Sequence, residues 1–124
     1  MIREKGNQQQ IKITLPRTHP SINEWTKWHW TKIHKVKKSF ENDIGWLAGR
    51  YGQPKLSNCD VKIIYTFSTN RKRDKDNYTP KFIMDGLVKS EIISDDNTDE
   101  VYLNWVIKQG SEEQTKIIVT PRET

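Results

Sequence analysis

Among 124 residues there is one cysteine, Cys59, which excludes an internal disulfide and a cysteine-built zinc site. No apolar run is long enough to span a bilayer. The N-terminal stretch MIREKGNQQQ has no apolar core of the kind a signal peptide carries, so a cytoplasmic protein is expected. Apolar residues are scarce as well: the hydrophobic fraction is 33% and the mean hydropathy −0.89. A chain this short has room for one domain with one core. A small core under much polar surface favours an oligomer. Acids are in the minority, sixteen against twenty-one lysines and arginines, for a net charge of +5 and a pI near 9.3. The default partner is therefore a polyanion: DNA, RNA or an anionic membrane surface. The three histidines lack HExxH spacing and do not suggest zinc; phosphate contacts or plain surface are expected of them. Ser/His/Asp catalysis has no support beyond the presence of the residue types, and no organic cofactor is indicated.

What apolar residues there are fall into periodic blocks. Residues 1–10 read as a flexible arm, 11–120 as the folded domain and 121–124 as a tail. Ile11–Leu15 alternates at period two, the mark of a strand with one buried face, and Pro16 and Pro20 end it. From Glu24 to about Tyr51 the period changes. Trp25, Trp28, Ile33, Val36, Phe40, Ile44, Leu47 and Tyr51 fit one face of a long helix, capped by Ser21 or Asn23 and stopped by Gly49, Gly52 and Pro54. Asp60–Ser68 reads as a buried strand, with Cys59 half-buried at its start. Thr79 then serves as N-cap and Pro80 as the first residue of a helix to Lys89 that buries Ile83, Met84 and Leu87. Ile92-Ile93 is briefly extended, and Ser94–Asn97 is a turn. Val101, Leu103, Trp105 and Ile107 mark a strand, and a turn at Gln109–Glu113 leads into a last one over Thr115–Thr120. The order β-α-β-α-β-β predicts an α+β (mixed α/β) fold, one small domain with helices packed on a single mixed sheet.

Against the basic background, Asp74, Asp76, Asp85, Asp95, Asp96, Asp99 and Glu100 crowd into one stretch. Asp74 and Asp76 are two apart on a segment leaving a strand, so in extended conformation both carboxylates point the same way. Converging carboxylates repel unless a cation compensates. Mg²⁺ suits: it takes a few carboxylates, keeps several waters and completes its shell with phosphate oxygens. That arrangement fits phosphodiester hydrolysis. The plain alternative is a solvated acidic loop or a set of helix caps. Against it stand the flanking Arg71, Lys72 and Arg73, the nearby Lys81, and the second doublet Asp95-Asp96 beyond the intervening helix. A calcium EF-hand loop starting at Asp74 would need glycine sixth and an acid twelfth; Thr79 and Asp85 stand there, so the turn glycine is missing. A haloacid-type phosphatase places its Asp-x-Asp directly after an apolar strand, whereas three basic residues intervene here.

The whole pattern resembles the RusA-type Holliday-junction resolvases, the phage or prophage-type members above all. It carries a basic run into Arg71-Lys-Arg-Asp74-Lys-Asp76-Asn77, then Lys81, Asp85-Gly86-Leu87 and Asp95-Asp96, with Pro20-Ser21-Ile22-Asn23 earlier. One extra residue stands between Asp76 and Lys81, with Pro80 inside the interval. The resemblance runs from about Ile11 to Thr120. It implies a homodimeric endodeoxyribonuclease of DNA recombination and repair that resolves four-way junctions or related branched DNA with Mg²⁺, Mn²⁺ substituting. It further implies that Asp74, Asp76 and Asp96 hold the metal, with Asp95 a further candidate ligand. Lys81 would stabilise phosphate charge or orient the attacking water. Asp85, four residues on, could hold that lysine as an i,i+4 pair.

Between Arg17 and Lys38 lie six basic residues, three histidines and a single acid, Glu24, interleaved with Trp25, Trp28 and Trp30. Cations there could meet phosphates, and an exposed tryptophan could stack on an unpaired base. Candidate DNA contacts are Asn23, Trp30, Lys32, Lys35, Lys37, Lys38, Arg71, Lys72 and Arg73. Trp25 and Trp28 fit the apolar stripe and are expected in the core, with the lysines as its solvated side; Trp30 lies off it. Two alternatives remain beside the nuclease: a branched-DNA-binding protein without catalysis, and a metal-dependent nucleotide phosphohydrolase.

Overall fold

The computed structural model describes residues 10–94 and 101–122. Ile11–Leu15 forms strand β1, with its burial alternating residue by residue as its period requires. Ser21 then opens a single helical turn, α1 (Ile22–Trp25), through a complete capping box with Glu24. The long helix expected from Glu24 to Tyr51 is interrupted here. The Thr26 hydroxyl folds back on the Ile22 carbonyl (2.8 Å), and His29 is extended (φ −64°, ψ 147°). The His29 ring accepts from the Thr31 backbone N–H and so starts helix α2 (Trp30–Ala48) afresh. A tight turn over Gly49–Tyr51 ends it.

Strand β2 (Cys59–Phe67) begins one residue earlier than expected, and Cys59 is fully buried rather than half-buried. Burial pushes its thiol pKa up, with the Asp60 carboxylate adding to the effect. Helix α3 spans Lys81–Lys89, starting one residue late. Pro80 sits at φ −82°, ψ 53°, and the Lys81 N–H donates to the Thr79 carbonyl at 2.8 Å, so Pro80 turns the chain before the helix begins. Strands β3 (Val101–Gln109) and β4 (Gln114–Pro121) complete one four-stranded sheet in the order β1-β4-β2-β3. β4 runs antiparallel to both β1 and β2, and β3 runs parallel to β2, making an α+β fold with a mixed sheet.

The core lies on one face of the sheet. Ile11, Ile13 and Leu15, then Val61, Ile63 and Tyr65, then Ile117 and Val119, meet Phe40 and Ile44 of α2 and Phe82, Ile83 and Leu87 of α3. The two helices approach closely at Gly86, where a Cβ would stand 2.7 Å from the Ile44 side chain. Burial departs from simple alternation at one position and from expectation at another. Leu103 is 37% exposed although it alternates on the core side, because β3 is the edge of the sheet. His19, expected at the surface, is buried among Phe40, Tyr65, Tyr78 and Phe82. Its Nδ1–H donates to the Pro20 carbonyl (2.9 Å), which leaves Nε2 to accept from the Tyr65 hydroxyl (2.6 Å). Burial lowers the His19 pKa and raises that of Tyr65, so the pair is neutral. No helix among the described residues is long and apolar enough to cross a membrane.

Candidate metal and nucleic-acid site

Beyond Phe67 the chain leaves the sheet through the basic loop. Arg73 turns inward: its guanidinium lies 3.8 Å over the Phe67 ring and donates to the Arg71 carbonyl (3.0 Å) and the Thr69 hydroxyl (2.6 Å). It is thereby committed to shaping the loop, while Arg71 and Lys72 remain exposed. Asp74 follows in extended conformation and caps a single 3-10 turn, Lys75–Tyr78, its Oδ1 accepting from the Asp76 N–H at 3.1 Å. The two aspartates therefore do not share an extended strand as their spacing suggested. They are neighbours across a turn, because a short polar side chain can satisfy the turn's first free N–H.

This turn is held from three sides. The Trp105 indole N–H donates to the Lys75 carbonyl at 3.0 Å, with the Lys75 ammonium 5.1 Å from the ring. Asn77 Oδ1 accepts the backbone N–H of Asn23 at 2.9 Å, tying the turn to α1. Tyr78 is buried, packed against Phe67 and Tyr65. Asp74 and Asp76 themselves stay exposed. The ion pairs among the described residues use other carboxylates: Asp43, Asp60, Asp85 and Glu91. The sequence motif contained Asn77 but gave no reason for it; its clamp on Asn23 supplies one.

Lys81, 61% exposed on its side chain, opens α3 with its ammonium 3.6 Å from Asp85. Lys37 of α2 reaches the same Asp85 oxygen at 3.0 Å. Neither contact has the geometry of an aligned hydrogen bond, so Asp85 acts as a charge shared by two cations, fastening α2 to α3. Asp95 and Asp96 lie outside the described residues. The chain enters that segment after Ser94, whose N–H donates to the Leu56 carbonyl beside the Ile93–Leu56 bridge, and leaves it at Val101, paired with Cys59. Both anchors are where β2 and β3 begin. Trp105, which holds the Asp74–Asp76 turn, is four residues along β3, roughly 13 Å further on.

The described residues contain no group of three or more His, Cys, Asp or Glu side chains fit to hold a metal ion. What they offer is two exposed carboxylates on a fixed turn. That is a partial donor set of a kind Mg²⁺ accepts, since it keeps several waters.

On α2 the candidate contacts separate. Trp30 is 70% exposed beside the His29 ring, and Lys35 and Lys38 face solvent around an open depression with Thr31 and His34. Asn23 is exposed as well. Lys32 lies over the Trp28 ring at 4.0 Å, and Lys37 is taken up by Asp85. Trp25 and Trp28 are half-buried, with Trp25 against Phe82. Sequence reasoning passed over Trp46, which is 86% exposed; lying off the Phe40–Ile44 stripe was the signal it gave. No protein-family model matches the chain, and no curated protein matches it in sequence.

Proposed function

We propose that this chain is a divalent-metal-dependent endonuclease of branched DNA, of the RusA type and acting as a homodimer. The observation that supports it best is the Lys75–Tyr78 turn. It presents Asp74 and Asp76 to solvent from a backbone fixed by Trp105, Asn23 and Tyr78, beside the exposed cations Arg71 and Lys72. Carboxylates meant only to solvate a loop do not need such fixing; a metal site does.

In this reading Asp74 and Asp76 hold Mg²⁺ or Mn²⁺, with Asp96 completing the set and Asp95 as a further candidate. The metal would supply Lewis-acid polarisation of the scissile phosphate and a lowered pKa for a bound water. Lys81 places a positive charge at the start of α3, where it offsets charge developing on the phosphate, and Asp85 limits where that ammonium can go. Arg71, Lys72, Lys35 and Lys38 attract the DNA backbone, and Trp30 offers a stacking surface for an unpaired base.

The test is cleavage of four-way, flap and fork DNA with Mg²⁺ or Mn²⁺. Asp76→Asn should lower cutting by roughly 10²–10³-fold or more, several kcal/mol of lost transition-state stabilisation. Junction binding should be retained or tightened, because a negative charge facing phosphate is gone. A wild-type chain that binds these substrates yet cuts none of them with either metal overturns the reading.

One observation favours a second reading, a branched-DNA-binding protein without catalysis: Asp74 already has a structural task as the cap of Asp76. Asparagine caps as well as aspartate. In that case Asp74→Asn leaves biological function unchanged, and no divalent ion raises the Tm.

A further inference from the structure

The sheet has two edges, and they are finished differently. β1 is five residues long and ends at Pro16. The Tyr51 hydroxyl covers its backbone, accepting the Lys12 N–H (3.3 Å) and donating to the Lys12 carbonyl (3.2 Å). Among the described residues β3 has no such protection. It pairs with β2 without a bulge over nine residues, Val101 to Gln109, and among the described residues no strand pairs with its other side. It contains no proline and a single charge, Lys108, and it exposes Tyr102 (47%) and Leu103. A long, unbulged edge strand with so little charge is a template for another strand.

We propose that the free edge of β3 is where two copies of this chain join, antiparallel about a two-fold axis at Trp105, to give one eight-stranded sheet. The strand is its own complement in that register. Trp105 is the midpoint of Val101–Gln109, so an axis there overlaps all nine residues. Leu103 then stands opposite Ile107 of the second copy and Trp105 opposite its equivalent, all on the core side. On the outer side Asn104 meets Val106, and Lys108 meets Tyr102, an ammonium against an aromatic ring. Arg122, already 3.9 Å from that ring, is neutralised by Asp60 at 2.9 Å. No like charges oppose one another. A two-fold contact has to be self-complementary in this way, with each pairing off the axis occurring twice. An unrelated peptide would have no such constraint to meet.

The inference deepens only the homodimer part of the proposed function. A dimer through β3 can stand with an inert Asp76, and a cutting enzyme can stand as a monomer, so the two fail separately.

The experiment is sedimentation equilibrium of the full chain without DNA or metal, up to some hundreds of micromolar, on wild type and two matched double variants. N104E/V106E sets two like charges against each other on each side of the axis, whereas N104E/V106K sets opposite ones. Both variants alter only the outer face, where the carboxylate introduced at position 104 would lie beside Lys62 of β2. Wild type should dimerise. N104E/V106E should raise the dimer Kd at least tenfold, partly recovered by salt, while N104E/V106K should stay within about threefold of wild type. A monomeric wild type, or double variants with equal dimer constants, overturns the proposal. Amide exchange on the wild-type chain reads the same surface without mutation. The β3 amides should be protected at high and not at low protein concentration, and protection independent of concentration also overturns it.

Discussion

The turn that carries Asp74 and Asp76 and the outer face of α2 are both exposed and polar, yet they are built on opposite principles. The turn is fixed at almost every backbone group that matters: Asp74 caps Asp76, Trp105 holds Lys75, and Asn77 holds Asn23. Along α2, Lys35, Lys38, Trp30 and Trp46 are presented by the helix alone. On the proposed reading, geometry is controlled where chemistry would need it, and charge is left free where a polyanion would need only to be attracted. Lys37 marks the boundary. It is two residues from Lys35, yet it belongs to the fixed set through Asp85.

The contrast can be broken at its strongest point first. Trp105→Phe keeps an aromatic ring and removes only the indole N–H that holds Lys75. Metal-dependent cutting should fall by about 10–100-fold, mainly as weaker dependence on Mg²⁺, while the Tm stays close to wild type. A proportional loss of Tm and activity would make Trp105 merely a packing residue. Next in size, Lys35→Ala with Lys38→Ala should weaken DNA binding several-fold and reduce the salt slope by about two, with stability unchanged within about 0.5 kcal/mol. Lys37→Ala should behave differently from its neighbours, costing about 1 kcal/mol of stability in denaturant titration, because Asp85 keeps only the longer contact to Lys81.

The smallest effect is on pH. Burial lowers the His19 pKa, so below its unfolded value the unfolded chain binds a proton that the folded chain refuses. The His19 contribution to stability is therefore full above about pH 6.5 and is lost as pH falls through the lowered folded value. A His19→Gln variant, less stable overall, should lack that part of the acid-side slope in unfolding curves collected across this range.

How much of this could be read in advance follows the range of the forces involved. β1, β2 and α3 rest on short-period alternation and turn residues, and their observed limits fall within a residue or so of expectation. The break between α1 and α2 left one trace, the five-residue step from Trp28 to Ile33 in an otherwise three- and four-residue spacing; the Thr26 and His29 side-chain bonds at the interruption leave no periodic signal. Tertiary pairings were hidden more deeply. Lys37 looked like Lys35, Arg73 looked like Arg71, and His19 looked like a surface residue, because partners at Asp85, Phe67 and Tyr65 leave no periodic trace. In the candidate site, the nearness of Asp74 to Asp76 was legible from their spacing, although the extended segment it suggested is a 3-10 turn. The cap between them and the Asn77–Asn23 clamp were not, since both depend on the backbone path. The placement of Asp95 and Asp96 lies outside the described residues.

The strand order β1-β4-β2-β3 has a consequence for how the molecule is made. Among the described residues β1 is paired only with β4, Ile11 against Val119, so it waits for a strand made much later. While a ribosome is still extending the chain, β2, α3 and β3 can associate through local crossover contacts, but the middle of the sheet is a gap. Folding must close a loop of about a hundred residues in one late step, the kind of long-range pairing that makes folding slow. Until β4 slots in, both flanks of that gap are open strand edges, so the nascent chain stays open to aggregation until β4 emerges.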